Sequence, residues 1–126
     1  MQKLAIITGG NAGLGKQTAI RLAQQGFDLV IACRNHSSGA KTANEIHKLF
    51  PETNIEVRTL DLADLDSVRA FAIQQKSHWH LLVNNAGAKI EIPRKFTKQG
   101  FEWHVGVNHL GHFALTADLW ESAASD

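Results

Sequence analysis

An apolar run, Leu4-Ala5-Ile6-Ile7, stops at Thr8 and gives way to Gly9, Gly10, Gly13 and Gly15. After Gly15 the spacing turns helical, with Ala19, Leu22 and Ala23 at i, i+3 and i+4. A strand, a glycine turn and a helix in succession aim backbone N–H groups and a helix N-terminus at one point. That geometry receives an anion such as a pyrophosphate. The rest of the chain reads as the scaffold for this turn.

Gly26 closes the first helix, and Asp28 opens a second apolar run, Leu29-Val30-Ile31-Ala32-Cys33. The run ends at Arg34-Asn35-His36-Ser37-Ser38, whose serines are suited to capping a helix. Ala43, Ile46, His47 and Phe50 mark the buried stripe of that helix, and Pro51 stops it. A third strand is expected at residues 55–60, alternating more than the first two and so nearer an edge. Asp61 and Leu62 end it. Asp64 is placed to cap a helix with the stripe Leu65, Val68, Phe71 and Ala72. A fourth strand, residues 80–84, runs into Asn85-Ala86-Gly87. Residues 88–100 read as a solvated loop carrying Lys89, Arg94, Lys95 and Lys98 against Glu91. Thr97 is expected to cap the last helix, whose stripe is Trp103, Val107, Leu110, Ala114 and Ala117. Phe113, Leu119 and Trp120 lie off that stripe, so the helix calls for burial on more than one side.

Strands alternating with helices, several of them near-continuous apolar runs, predict an α/β fold with a parallel sheet covered on both faces. Right-handed crossovers make it doubly wound, with strand order 3-2-1-4. Residues 1–126 form one domain. A net charge of +1 gives no reason to expect nucleic acid as a partner. No apolar run approaches the roughly 20 residues of a membrane span. The lone Cys33 fits a reducing compartment, and the cytoplasm is the expected location.

Two nucleotide chemistries compete for the glycine turn. Gly10 to Lys16 satisfies most of a triphosphate loop, G-x-x-x-x-G-K, but Gln17 stands where a magnesium-holding Ser or Thr belongs. The alternative spacing, Thr8-Gly9-x-x-x-Gly13-x-Gly15, suits a dinucleotide. There an acid at the end of the second strand would meet the ribose 2′-hydroxyl. This chain has Cys33-Arg34 instead, and a guanidinium pairs a 2′-phosphate with two hydrogen bonds. The cofactor implied is NADP(H). Seven histidines raise the question of a metal, with His109 and His112 at i, i+3 and His104 two turns before His112. No cysteine or carboxylate completes a ligand set at convincing spacing, and none is expected to be a metal ligand.

Thr8-Gly9-x-x-x-Gly13-x-Gly15, Asp61, Asn84-Asn85-Ala86-Gly87 and Asn108 together resemble the short-chain dehydrogenase/reductase family. Ala32-Cys33-Arg34-Asn35 and Val107-Asn108-His109-Leu110-Gly111-His112-Phe113 are similar to its retinol dehydrogenase and protochlorophyllide reductase branch. The resemblance implies a Rossmann-type fold. It implies that Gly9, Gly13 and Gly15, with Asn11 and Leu14, let backbone approach the pyrophosphate. Thr8 would tie the turn to residues 84–87, Arg34 would hold the 2′-phosphate with Asn35 near it, and Asp61 and Leu62 would flank the adenine. Asn85, Ala86 and Gly87 would run beside the ribose. Asn108 matches the active-site asparagine that holds a water in the proton relay and interrupts its helix. Gly106 and Gly111 fit such an irregularity.

The same resemblance implies hydride transfer between nicotinamide and an alcohol or carbonyl, with a Tyr-x-x-x-Lys pair as acid or base and a serine on a fifth strand. This chain contains no tyrosine, and its serines after Asn108 are Ser122 and Ser125, in a small polar tail. The expectation is therefore the cofactor-binding half of such an oxidoreductase, truncated before strand 5 and inactive alone. As a gene fragment or split product it would serve as a nucleotide-binding or docking module. The fourth strand would be an open edge. With Trp103, Phe113 and Trp120 it would favour self-association or a partner chain.

Overall fold

The computed structural model describes residues 2–89 and 93–125, so Glu91 of the basic loop lies outside the described residues. The strands are β1 (Leu4–Thr8), β2 (Asp28–Cys33), β3 (Ile55–Thr59) and β4 (Leu81–Val83). They form one parallel sheet in the order β3-β2-β1-β4, with Ile6 in register between Val30 and Leu82. The expected topology is present, and β3 lies on an edge.

Successive side chains of a strand point to opposite faces, so the sheet carries two cores. Helices α1 (Gly13–Gln24) and α2 (His36–Leu49) cover Ala5, Ile7, Leu29 and Ile31 with Ala19, Ala23 and Ile46. On the other face, α3 (Leu65–Gln74) and α5 (Gly111–Leu119) cover Ile6 and Val30 with Val68, Phe71, Leu115 and Leu119. Each large apolar side chain so buried contributes about 1.5–3 kcal/mol. This layering holds the carboxyl ends of β1, β2 and β4 side by side.

Asp64 caps α3 as expected, accepting from the Asp66 amide at 2.9 Å. The α2 cap differs. The helix begins at His36, which puts the serines inside its first turn, and Asn35 Oδ1 accepts from the Ser38 amide at 3.1 Å. The polar tail is anchored to the sheet's amino end: Trp79 pairs with Ala123, and its indole donates to the Leu119 carbonyl at 3.0 Å.

The last helix departs most from its sequence reading. It consists of α4 (Trp103–Val105), a π-helical turn (Gly106–Leu110) and α5. A π turn takes up an extra residue, so the buried stripe after Val107 shifts from Leu110, Ala114 and Ala117 to Gly111, His112, Leu115 and Leu119. Gly106 and Gly111 are helical, and their missing side chains serve close approach. A Cβ at Gly111 would stand 2.6 Å from the Leu62 carbonyl, and one at Gly106 would strike the Thr97 methyl. Thr97 is therefore a buried packing residue rather than the cap. Glu102 caps α4, accepting from the Val105 amide at 2.9 Å. Trp103 is 8% exposed, with Lys95 Nζ 3.8 Å from its ring centre. The aromatic surface of this helix is thus Phe113 and Trp120, each 69% exposed, without Trp103.

Candidate nucleotide-binding site

At the carboxyl ends of the strands a cleft of about 910 Å³ opens between the glycine turn and the segment after β4. Its walls are Thr8, Gly9, Asn11, Gly13 and Leu14 on one side and Asn85, Ala86 and Gly87 on the other. Arg34 and Asn35 close one end, with Asp61 and Leu62 beside them. Residues from four separate stretches, all proposed from sequence, therefore meet in one cavity. Gly15 lies behind the turn, and Asn108 lies beside Gly87 outside the lining. A second groove, about 980 Å³, occupies the opposite end of the sheet near Lys3, Asp28, Arg58 and His80. Ligands of open α/β sheets bind at the carboxyl ends, where the first cleft lies.

The turn fits an anion by construction. Gly9 has φ +66°, and a Cβ there would stand 3.0 Å from Ala86 Cα. A methyl at Gly15 would collide with the Gly9 carbonyl and the Asn85 amide, so helix and turn touch through backbone. At Gly13 the space is open. Ala12 precedes α1 and supplies no side-chain cap, and the first turn holds no acid. The amide groups of that turn are left for a ligand oxygen. Lys16, the residue a triphosphate loop would aim at its phosphates, is instead paired with Glu45 on α2.

Thr8 joins the two walls. Its hydroxyl accepts from the Asn85 and Ala86 amides, each at 2.9 Å, and lies 2.8 Å from His112 Nε2. Asn85 Nδ2 returns a bond to the Thr8 carbonyl at 3.1 Å. Asn11 fixes the turn's outer side. Its amide donates to Ser38 Oγ at 2.8 Å, and its carbonyl accepts from Thr42 at 3.0 Å. Asp61 Oδ1 accepts from the Ala63 amide, which shapes the bend after β3. Arg34 is exposed at the rim, while the Cys33 thiol behind it is buried and donates to the Asn35 carbonyl at 3.2 Å. Burial pushes that thiol's pKa up, against a smaller opposite pull from the Gly39 amide.

Asn108 sits in the π turn, where Oδ1 accepts from the Ala88 amide at 2.6 Å. His104 holds the next residue: Nε2 lies 2.8 Å from the Lys89 carbonyl and Nδ1 2.7 Å from Glu102 Oε1. The Glu102 carboxyl is lowered to about 2, first by the Val105 amide and then by His104. His112 is the contributor that residue patterns missed. Its pairing with Thr8 spans 104 residues, and only its position one turn beyond Asn108 hints at it. Among the described residues no three His, Cys, Asp or Glu side chains are grouped to hold a metal. His109 is exposed and packs near Phe113, apart from buried His112.

A parallel 3-2-1-4 sheet with a glycine cradle at the carboxyl end of β1 defines a doubly wound, nucleotide-binding protein. Residues 3–124 match the short chain dehydrogenase family, and the chain belongs to that oxidoreductase family. Retinol dehydrogenase 11 of Mus musculus is 49% identical over 122 residues, covering 94% of this chain and 38% of that protein. Polyprenol dehydrogenase of Mus musculus is 44% identical over 117 residues, 90% of this chain and 35% of its own length. The chain thus spans well under half the length of these relatives. A crystal structure of an uncharacterised protein from Mycobacterium paratuberculosis superposes with a TM-score of 0.86 at 42% identity, covering 98% of this chain and 43% of that one. The fold also matches an alcohol dehydrogenase of Thermococcus sibiricus complexed with 5-hydroxy-NADP, with a TM-score of 0.81 at 24% identity over 97% of this chain and 53% of that one. No helix among the described residues is long and apolar enough to cross a membrane.

Proposed function

We propose that this chain is the NADP(H)-binding portion of an oxidoreductase that moves a hydride between nicotinamide and an alcohol or carbonyl. One observation carries the reading: the glycine turn, Arg34, Asp61 and residues 85–87 line a single cleft. Gly9, Gly13 and Gly15, with Asn11 and Leu14, hold the pyrophosphate against the N-terminus of α1, and Arg34 takes the 2′-phosphate. Asp61 and Leu62 flank the adenine, and Asn85, Ala86 and Gly87 border the ribose. When bound, the cofactor supplies the hydride chemistry. Asn108 is the residue of this chain nearest that chemistry, its side chain held beside Gly87 by the Ala88 amide.

The named alcohols of the relatives, retinol and polyprenol, favour a lipophilic alcohol or carbonyl as substrate. Without a tyrosine, the chain by itself turns over no such compound. Residues 1–126 form one domain in this reading. The edge of β4 that no described strand pairs, with the exposed Phe113 and Trp120, supports self-association or a partner chain. A reducing, cytoplasmic setting accords with the single buried Cys33.

Calorimetric titration with NADPH and NADH tests the cofactor. NADPH is expected to bind roughly tenfold to a hundredfold more tightly, the worth of a charge-assisted bidentate contact. Arg34→Ala abolishes the preference. Equal affinities in the unmodified chain refute the 2′-phosphate assignment. Carbonyl reduction by the purified chain refutes its inactivity.

A further inference from the structure

His112 is 7% exposed, and its two ring nitrogens face groups of opposite character. Nδ1 lies 3.3 Å from the Asn108 carbonyl, an acceptor. Nε2 lies 2.8 Å from Thr8 Oγ1, and Thr8 is wholly buried. A hydroxyl offers one proton and two lone pairs. The amides of Asn85 and Ala86 take both lone pairs. The proton is left for His112 Nε2, since the other acceptor, the Val83 carbonyl, is 3.4 Å away. Nε2 must then be unprotonated, and the neutral ring carries its hydrogen on Nδ1, donated to Asn108.

We propose that His112, held as the Nδ1–H tautomer, is a positioning residue of the nucleotide cleft. It fixes the rotation of the Thr8 hydroxyl, and through it the spacing of the glycine turn and residues 85–87. The same ring fastens those walls to the Asn108 carbonyl, in the turn that also presents the Asn108 side chain to Ala88. The functional consequence rests on the NADP(H) reading above, whereas the tautomer does not.

Protonation would place a second N–H against an oxygen with no lone pair to spare. The surroundings oppose it: burial lowers the ring's pKa, with only the Asn108 carbonyl pulling the other way. Asp66 and Arg69 on α3, and His109 and Asp118 on the helix itself, are all exposed. β1 and residues 81–88 carry no titratable side chain.

Two measurements test this. The first, ¹⁵N-edited imidazole spectroscopy of the free chain, needs no variant and no ligand. It should show His112 protonated at Nδ1 alone and titrating below the ordinary histidine range. An Nε2–H tautomer at neutral pH overturns the proposal.

The second is NADPH affinity from neutral pH down through the His112 titration that the spectrum locates, for the unmodified chain, His112→Phe, His112→Gln and His109→Gln. The unmodified chain and His109→Gln should weaken roughly tenfold as His112 titrates. His112→Phe should be weak throughout. His112→Gln, whose amide oxygen can accept the Thr8 proton, should bind normally at neutral pH without that acid loss. Titration of the cofactor's own phosphate is common to all four and cancels. Superimposable profiles for the unmodified chain and His112→Phe overturn the positioning role. Failure of the unmodified chain to bind NADPH overturns the cofactor reading instead, and the spectrum still decides the tautomer.

Discussion

His104 and His112 stand four residues before and four after Asn108, yet His112 contacts Asn108 itself and His104 the loop residue Lys89 beyond the Ala88 that Asn108 holds. His112 is buried, sees one donor and one acceptor, and is satisfied only when neutral. His104 has a side chain 32% exposed and sees two acceptors, the Glu102 carboxylate and the Lys89 carbonyl. The two bonds form together only when both nitrogens donate, as in a protonated ring. The sheet side of Asn108 is thus held by an uncharged link in a dry core. The loop side is held by a partly exposed link from His104 to Glu102 and Lys89. A buried charge costs far more than an exposed one, so the two links differ in how readily they tolerate a proton.

The largest effect expected on this contrast comes from Thr8→Val. It leaves the Asn85 and Ala86 amides without their acceptor and His112 without its donor, for a loss of about 2–4 kcal/mol. Urea unfolding should record that loss and show the β4 segment loosened from the glycine turn. Asn108→Ala should cost less, about 0.5–1.5 kcal/mol, because it removes one partly exposed hydrogen bond. It should also split the two sides: amide exchange at Ala88 speeds up, while Ala86 stays protected.

Smaller still are two acid losses that begin at different pH values. The folded pKa of His112 lies below its unfolded value near 6.5. Its contribution is intact above that value and is lost as pH falls toward the lowered one. His112→Phe should flatten this part of the unfolding profile. Glu102 is also depressed, so its contribution holds above about 4.5 and is lost as pH falls toward about 2. Glu102→Gln should remove that second decline and leave the first. A single decline removed in full by either variant would contradict the independence of the two links.

Much of this was legible in the residues. The glycine spacing, the cap at Asp64, the basic Arg34 in place of an acid, and the Asn85-Ala86-Gly87 stretch each rest on local chemistry. A residue type needed at one backbone position leaves its mark in the sequence. The last helix was legible only in part. Gly106 and Gly111 signalled an irregularity near Asn108, but the phase of the buried stripe depends on the π turn. That turn is accompanied by contacts with Thr97 and Leu62, more distant along the chain. The burial of Trp103 and the packing of Thr97 against Gly106 are likewise set by tertiary contacts. His112 shows the limit most plainly. As one of seven histidines it offered a metal pattern, whereas its partner is the hydroxyl that ends β1.

Cys33 gives the cleft a chemical clock. The thiol lies beneath Gly39 in the first turns of α2, where even a Cβ would come within 2.8 Å of the sulfur. A maleimide or disulfide reagent therefore has to wait for that end of α2 to lift from β2, and for a thiolate that burial disfavours. The labelling rate counts those openings. Because Arg34 and Asn35 connect the thiol to the helix, a ligand bridging them to the glycine turn should slow the count in proportion to its occupancy. The adenosine end of the site then becomes readable without any turnover at all.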